Sequence, residues 1–592
     1  MPEQLESHVD LSALPKEERL NRMRHSAAHV LAEAMVELFP DAELGIGPPI
    51  DTGFYYDFRL PRSLTPDDLV WLEDRMRKSV KGKHPYRMAA ITRAEAQERW
   101  KDQPFKLDLL SELEEGNVTQ CTHAAFTDLC RGGHVENPSQ MLKYVKLLSV
   151  AGAYWRGDEK NTMLTRIYGT AFPTKAGLDY YLWQMEEGKK RDHRKLGQQL
   201  DLFVIHEDIG KGLPLLTPKG TIIRNEILKY ERELERESGF QEVWTPHIAK
   251  SDLYKRTGHW DHYREVMYAP FGIEDETYVL KPMNCPHHYM IYASRPRSYK
   301  DLPMRLSEPG TCYRYEKSGE LGGLVRVRAL TIDDSHILMR EDQIDAEFGL
   351  CINLILKMFL SFGLKEYWVR LSLNDPADHI KYIADPKTWE KAGKKLEDIV
   401  KSHELKVELA TGEASFYGPK IDFMVNDAIG RQWQMSTLQL DLFMAERLNL
   451  EYTDVDGTKK HPVILHRGLT GSLERTIGLL IEHYAGAFPV WLSPVQAIVI
   501  PISDQQLDYA QKIHHKLRQE RFRVDLDARS LSMQKRIREA ELQKIPYMLI
   551  VGDREAKSGT IALRARGEKD EGTLKLSEFI GRLSKEVTTK QV

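Results

Sequence analysis

Between Lys281 and His336 the chain offers a thiol at Cys285, an Arg-x-Glu pair at Arg314 and Glu316, and an imidazole at His336. A guanidinium beside a carboxylate can hold a phosphate and an amino group of one ligand. Thiolate and imidazole are donors that suit zinc. Two further pairs lie nearer the N-terminus. His25 and His29 are spaced to share a helix face, and DLCRGGHVEN sets Cys130 and His134 four apart beside a Gly-Gly turn. Alone, the first pair reads equally well as two histidines on a helix surface. Together, the pairs supply either a zinc site or a hydrolytic pocket in which imidazoles and a thiol orient water.

Several elements must position these groups. MRLSEPGTCYRYE and LVRVRALTI alternate in polarity around the Gly-rich EKSGELGGL, which predicts an antiparallel hairpin with a long loop. On a strand Arg314 and Glu316 would project from the same face. NRMRHSAAHVLAEAMVELF carries Ala27, Val30, Leu31, Met35 and Leu38 at helical spacing. TKAGLDYYLWQMEEGKKRDHRKL predicts a charged amphipathic helix. The basic residues at its end (Lys189, Lys190, Arg191, His193, Arg194, Lys195) suit either nucleic-acid phosphates or a solvated helix terminus. GTIIRNEILKYERELERESGFQEVWTPHI predicts a long helix, a break at Gly239 and a strand ending at Pro246. From VQAIVIPI onward strands alternate with helices, as in βαβ units with a largely parallel sheet.

The chain has 592 residues, enough for three to five domains. Its 41% hydrophobic and 29% charged composition fits a globular protein, and a net charge of −4 means that any nucleic-acid contact rests on local basic patches. Five cysteines make no disulfide scaffold and point to a reducing compartment. The polar N-terminus lacks a signal-peptide core, and no apolar run is long enough to span a membrane. A cytoplasmic protein is expected.

NCPHH, YRYE, RVRALTIDDSH and ILHRGLTGSLERTIG, in that order, resemble the threonyl-tRNA synthetases, which are class II aminoacyl-tRNA synthetases. The resemblance runs from about Leu20 to near the C-terminus. It implies a multidomain α+β and α/β fold: a polar lead over 1–19, an α+β editing domain over 20–173, a linker helix over 174–196, a catalytic domain built on an antiparallel sheet over 197–489, and an α/β anticodon-binding domain over 490–592. About 24 residues precede His25, too few for the small ubiquitin-like domain that the family often carries there.

The roles implied by the resemblance follow position by position. Arg314, Glu316 and Arg475 are the expected catalytic residues, with Arg314 on the α-phosphate of ATP, Glu316 near the adenine amino group and Arg475 over the adenine. Arg326 should help hold the nucleotide, Asp334 should accept from the threonine hydroxyl, and Tyr417, Lys420, Gln434, Thr437, Gln439 and Ser472 should line the substrate site. Cys285, His336 and His466 are the expected ligands of one zinc ion per subunit, and magnesium would accompany ATP. His25, His29, Lys106, Asp128, Cys130 and His134 match the editing positions, where the resemblance favours water-mediated deacylation over a metal. Arg538 and Arg566 match positions near the anticodon. The implied partners are tRNA(Thr), threonine, ATP and a second copy of the chain, with no membrane.

The chain departs from the family pattern at four positions. Leu330 replaces an aromatic residue expected to stack on adenine, and Ile332 replaces a glutamine. Ser530 and Lys557 stand where an asparagine and a glutamate are usual. A synthetase for another amino acid, a tRNA-binding paralogue without ligase activity, and a protein that is chiefly a deacylase are the alternatives. The triplet Cys285, His336 and His466 argues against the first, and the intact Arg314, Glu316 and Arg475 argue against the other two.

Overall fold

The computed structural model describes residues 14–592 apart from 115, 137 and 568. Most of the N-terminal lead therefore lies outside the described residues. The chain forms two compact units, one ending at Glu186 and the other beginning at Glu187. This boundary falls inside the helix Lys175–Arg191.

In the first unit the helix Lys16–Leu38 lies on an antiparallel sheet of order Glu43–Leu44, Gly53–Arg59, Met163–Phe172, Tyr144–Tyr154, with Pro49–Ile50 paired to Gly53–Arg59. The helix brings Met23, Ala27, Ala28, Val30, Leu31 and Met35 into the core. Its alanines let the helix approach the sheet closely while its reactive residues stay on one flank. A second sheet, Arg87–Ala90, Thr119–His123 and Phe126–Leu129, carries Asp128 and ends just before Cys130.

The second unit is organised on an eight-stranded sheet. Its order is Gln241–Glu242, Met304–Tyr313, Ala329–Met339, Val463–Ser472, Gln432–Asp441, Lys420–Asn426, Tyr367–Leu373, Val407–Thr411. The interior pairs are antiparallel and the two edge pairs are parallel. The helices Pro218–Glu237, Ile344–Ser361 and Leu473–His483 share one large apolar core with this sheet. The expected hairpin is the pair Met304–Tyr313 and Ala329–Met339, with Tyr313 opposite Ala329. Arg314 and Glu316 lie just past the end of the first strand, in the connecting loop, so strand alternation does not aim them. The loop instead turns through local bonds: Arg314 N–H donates to the Arg328 carbonyl, and Glu316 N–H to that of Arg314. The strand expected to end at Pro246 is confined to Gln241–Glu242.

The C-terminal sheet has the order Val524–Leu526, Ala497–Pro501, Tyr547–Val551, Thr560–Ala565, Lys569–Lys575. The first three strands are parallel, as βαβ connections require, and the last two are added antiparallel.

Candidate functional site

In the first unit the helix Lys16–Leu38 presents His25 and His29 to the segment after Leu129, which carries Cys130 and His134. The ligand-capable atoms of these four residues lie within 4.8 Å of one another. Cys130 Sγ is 3.1 Å from His134 Nε2 and 3.6 Å from His25 Nε2. A hydrogen bond with Cys121 and others from the surrounding imidazoles pull the Cys130 thiol well below its usual range, while Cys121 is pushed up. Burial lowers His134 to about 3, so its ring is neutral near pH 7. Cys130 Sγ and His134 Nε2 share one proton, and His134 Nδ1 lies 3.2 Å from the Ser26 hydroxyl, whose oxygen takes the Val135 N–H.

Beside this cluster Lys106 and Asp128 form a buried ion pair, Nζ to Oδ1 2.5 Å. Tyr56 bridges them, accepting from Lys106 at 3.0 Å and donating to Asp128 at 2.5 Å. Sequence reasoning missed Tyr56. Its signal was present in the alternation of GFYYDF, which puts Tyr56 on the same buried face as Phe54 and Phe58. Together the two groups supply a nucleophile-orienting cluster and a fixed cation beside it, the equipment of an ester hydrolase.

In the second unit the register of the strands Ala329–Met339 and Val463–Ser472 sets His336 directly opposite His466. Cys285 opens the helix Cys285–Ala293 and faces the same point, and the ligand atoms of all three buried residues lie within 4.8 Å of one another. His466 is backed by an acid directly and His336 through a second histidine. His336 Nδ1 is 2.8 Å from His288 Nδ1, whose Nε2 is 3.2 Å from Glu308. His466 Nε2 is 3.1 Å from Asp441. Such backing orients metal-ligating histidines. Burial, reinforced by the neighbouring His466 and His288, pushes His336 well below its usual value and keeps its lone pair free. Burial pushes the Cys285 thiol up. A thiol and two imidazoles, all desolvated, are a donor set that fits zinc and leaves coordination for a substrate.

Around this cluster Asp334 accepts from Asn284 Nδ2 at 3.3 Å, and burial raises its pKa. The Tyr417 ring stacks on His466, centroids 4.7 Å apart, while its hydroxyl donates to Gln439 Oε1 at 2.6 Å. Lys420, Gln434 and Thr437 meet at one carboxylate that sequence reasoning missed, that of the fully buried Asp422. Asp422 Oδ1 accepts from Gln434 Nε2 at 2.9 Å and Thr437 Oγ1 at 3.0 Å, and Oδ2 from Lys420 at 2.8 Å, Arg370 at 3.1 Å and Ser372 at 3.3 Å. The only sequence signal was an acid in the buried face of FYGPKIDF.

The hairpin loop lies over the start of the helix Leu473–His483. Glu316 accepts from Arg326 Nε at 2.7 Å. Ser472 caps the helix by accepting from Arg475 N–H, and Arg475 Nε donates to the Val325 carbonyl at 3.1 Å. Burial lowers the Arg475 pKa, and the nearby Arg314 and Arg326 guanidiniums lower it further. Arg326 is also paired with Glu320 at 3.1 Å, and the three guanidiniums, two of them exposed, form an open cationic patch that suits a polyanion. Leu330 packs with Cys312, Val327 and Ile332.

Two groups of expected nucleic-acid contacts stand differently. Arg538, Ser530 and Lys557 are exposed, whereas Arg566 donates NH1 to the Phe488 and Lys544 carbonyls at 3.0 and 2.9 Å. Of the basic run after Lys189, Arg191 pairs with Glu187 and with the His483 carbonyl, and Arg194 pairs with Asp192. His193 is buried and cannot meet a phosphate.

The model of the class II tRNA synthetase core domain (G, H, P, S and T) matches residues 271–484. The anticodon binding domain matches 496–586, and the threonyl and alanyl tRNA synthetase second additional domain matches 117–168. The chain is 47% identical to a threonine–tRNA ligase of Rubrobacter xylanophilus over 97% of its own length and 90% of that protein. It is 46% identical to one of Thermus thermophilus over 94% and 87%. The solved structure titled the RNA binding domain of threonyl-tRNA synthetase from Cryptosporidium parvum superposes with a TM-score of 0.64 at 35% identity, covering 67% of this chain and 98% of that one. The chain belongs to the threonine–tRNA ligase family of class II aminoacyl-tRNA synthetases.

Proposed function

We propose that the two centres divide one task. The second unit activates L-threonine with ATP and transfers it to tRNA(Thr), and the first hydrolyses seryl-tRNA(Thr) formed in error. The observation that carries this reading is the presence, in one unit, of the guanidinium cluster Arg314, Arg326 and Arg475 and of the buried Cys285, His336 and His466. The first suits the phosphates of ATP, which arrive with magnesium, and the second suits an amino acid that carries a hydroxyl.

Cys285, His336 and His466 would hold zinc, whose Lewis acidity favours a substrate able to offer both an amino group and a hydroxyl. An apolar pocket separates threonine from valine by only about 10²-fold, because the two are nearly isosteric. Around the amino acid, Asp334 accepts from the side-chain hydroxyl, Tyr417 lies beside the amino group, and Lys420, Gln434, Thr437 and Gln439 fix the carboxylate and ribose. The carboxylate is already a nucleophile at neutral pH, so no base is required. Arg314 balances the charge growing on the α-phosphate during attack, Glu316 and Arg326 hold the adenine end, and Arg475, set by Ser472, covers it. Serine lacks only a methyl group, worth about 1–3 kcal/mol of discrimination, and so leaks through.

The editing pocket answers that leak. Lys106, held by Asp128, faces the charge of the ester transition state, and His25, His29, Cys130 and His134 orient the attacking water. The same four side chains could hold a metal. Chelation that abolished seryl-tRNA hydrolysis would favour that second reading.

The domain limits proposed are 20–173 for editing, 174–196 for the linker, 197–489 for catalysis and 490–592 for the anticodon, with Arg538 and Arg566 on its tRNA side. We assign the working form to a homodimer, which the 76% exposed Trp244 after the helix Pro218–Glu237 supports, and its place to the cytoplasm. No helix among the described residues is long and apolar enough to cross a membrane.

The test is amino-acid-dependent pyrophosphate exchange with threonine, serine and valine, with and without a chelator. Exchange with threonine, less with serine, none with valine, and loss on chelation are expected. Exchange that survives complete zinc removal would overturn the metal assignment.

A further inference from the structure

His193 was one of a run of basic residues in the sequence, yet it is buried and both of its ring nitrogens are engaged. Nδ1 is 2.6 Å from Glu482 Oε1. Nε2 is 3.0 Å from the backbone nitrogen of Leu324, in the loop between Glu316 and Arg326. A backbone N–H can only donate, so Nε2 must be the acceptor and the ring proton must sit on Nδ1, directed at Glu482. Glu482 is itself fixed. It also accepts from the His193 N–H at 3.1 Å and pairs with Arg431. It belongs to the helix Leu473–His483, whose first turn carries Arg475.

The loop is shaped around this imidazole. Leu324 is fully buried in the main core. Gly323 has a φ of 60°, and a Cβ there would collide with His193 Nε2 and with Arg194. The turn closes through Val325 N–H to the Gly322 carbonyl at 3.0 Å, and the Val325 carbonyl accepts from Arg475 Nε. Asp192, His193 and Glu482 could be read as a metal-binding triplet. A cation on either imidazole nitrogen, however, would break one of the two bonds already made.

We propose that His193 is a positioning residue for amino-acid activation, locking the loop that carries Glu316 and Arg326 to the helix that carries Arg475. It fixes the separation between the two halves of the nucleotide grip, so its effect falls on ATP and not on threonine. This rests on the reading that Arg326 and Arg475 hold the nucleotide.

Two variants separate the bonds. In His193→Asn the side-chain amide stays near Glu482 but cannot reach Leu324. In His193→Gln the amide oxygen reaches about as far as Nε2 and can accept the Leu324 N–H. In threonine-dependent pyrophosphate exchange with the full chain, His193→Asn should raise the KM for ATP about tenfold, leaving the KM for threonine within about twofold. His193→Gln should recover most of that loss. Hydrogen exchange should show the amides of 317–328 deprotected in the Asn variant and restored in the Gln variant, the rest of the unit being unchanged. Equal losses in both variants, a matching rise in the KM for threonine, or deprotection throughout the unit would make His193 an ordinary core residue and overturn the proposal. Arg326→Ala serves as the reference. If it raises the KM for ATP while both His193 variants stay at the wild-type value, the positioning role alone fails. If none of the three moves it, the nucleotide reading fails and the proposal with it.

Discussion

Asp422→Asn is the sharpest probe of the substrate floor, because it changes one oxygen of a buried side chain and almost nothing of its shape. Asp422 accepts five donors. An asparagine must turn its NH2 group toward one set of them. Facing Gln434 and Thr437 costs less, since the Thr437 hydroxyl can reverse and accept, and so can the Gln434 amide on giving up the bond its oxygen takes from Arg370 at 3.3 Å. Lys420 and Arg370 then meet a neutral carbonyl in place of a carboxylate. Both cations keep a hydrogen bond but lose their buried counter-charge; removing one partner of a buried ion pair costs about 3–5 kcal/mol, and the partly exposed cations put this case at the low end, about 3 kcal/mol. The reversed Gln434 and Thr437 no longer present their polar atoms as before, which adds to the loss in the transition state. At about 1.4 kcal/mol per decade the expected fall in kcat/KM for threonine is about 10²-fold. Steady-state pyrophosphate exchange measures it, and an unfolding midpoint of the second unit close to that of wild type controls for folding. A variant within about threefold of wild type would refute the reasoning, since Asp422 would then hold nothing that the reaction uses.

Other outcomes follow from buried charge. Glu231, pushed up to about 8 chiefly by burial, is protonated at neutral pH. A folded-state pKa raised above the unfolded value gives stability that is complete below about pH 4.5 and is lost as pH rises toward 8. Glu231→Gln keeps an acceptor for Thr470, so between about pH 5 and 8.5 the melting temperature of the variant should gain on wild type, and a constant difference would count against it. Arg467 is fully buried against Glu235, Asp333 and Ser335. Arg467→Met should destabilise the second unit by about 3–5 kcal/mol, read as a lower unfolding midpoint. Lys106→Met leaves Asp128 buried with the Tyr56 hydroxyl and the Leu129 N–H but no cation, and should abolish seryl-tRNA deacylation while threonine activation persists.

What was legible in the sequence was whatever local spacing encodes. The helix carrying His25 and His29 showed in its apolar periodicity, the Met304–Met339 hairpin in its alternation, and the βαβ part of the last domain in its strand and helix runs. Cys285, His336 and His466 sit far apart in the chain, and only the resemblance could group them. The aim of Arg314 and Glu316 was misjudged because the strand stops at Tyr313, one residue short, where loop hydrogen bonds take over. Asp422 and Tyr56 escaped notice because a polar residue at a buried strand position looks like its apolar neighbours until its partners, brought from other strands, are known. His193 was hidden by its company: amid lysines and arginines a histidine reads as surface charge, and only its contact with Leu324, remote in the chain, shows otherwise.

The cross-strand pairing of His336 with His466 also bears on how the protein is made. About 130 residues separate the two, and at a synthesis rate of roughly 5–20 residues per second the first waits about 6–26 s for the second to be translated. Until then the nascent chain has a thiol and one imidazole but no complete ligand set. Any metal that needs all three donors must enter after the strand Val463–Ser472 has slotted in beside Ala329–Met339, a non-local pairing and so a slow one. Acquisition of the ion would then report that the central sheet has closed, and a ribosome-bound chain stalled before His466 should bind about one zinc ion fewer than the full chain.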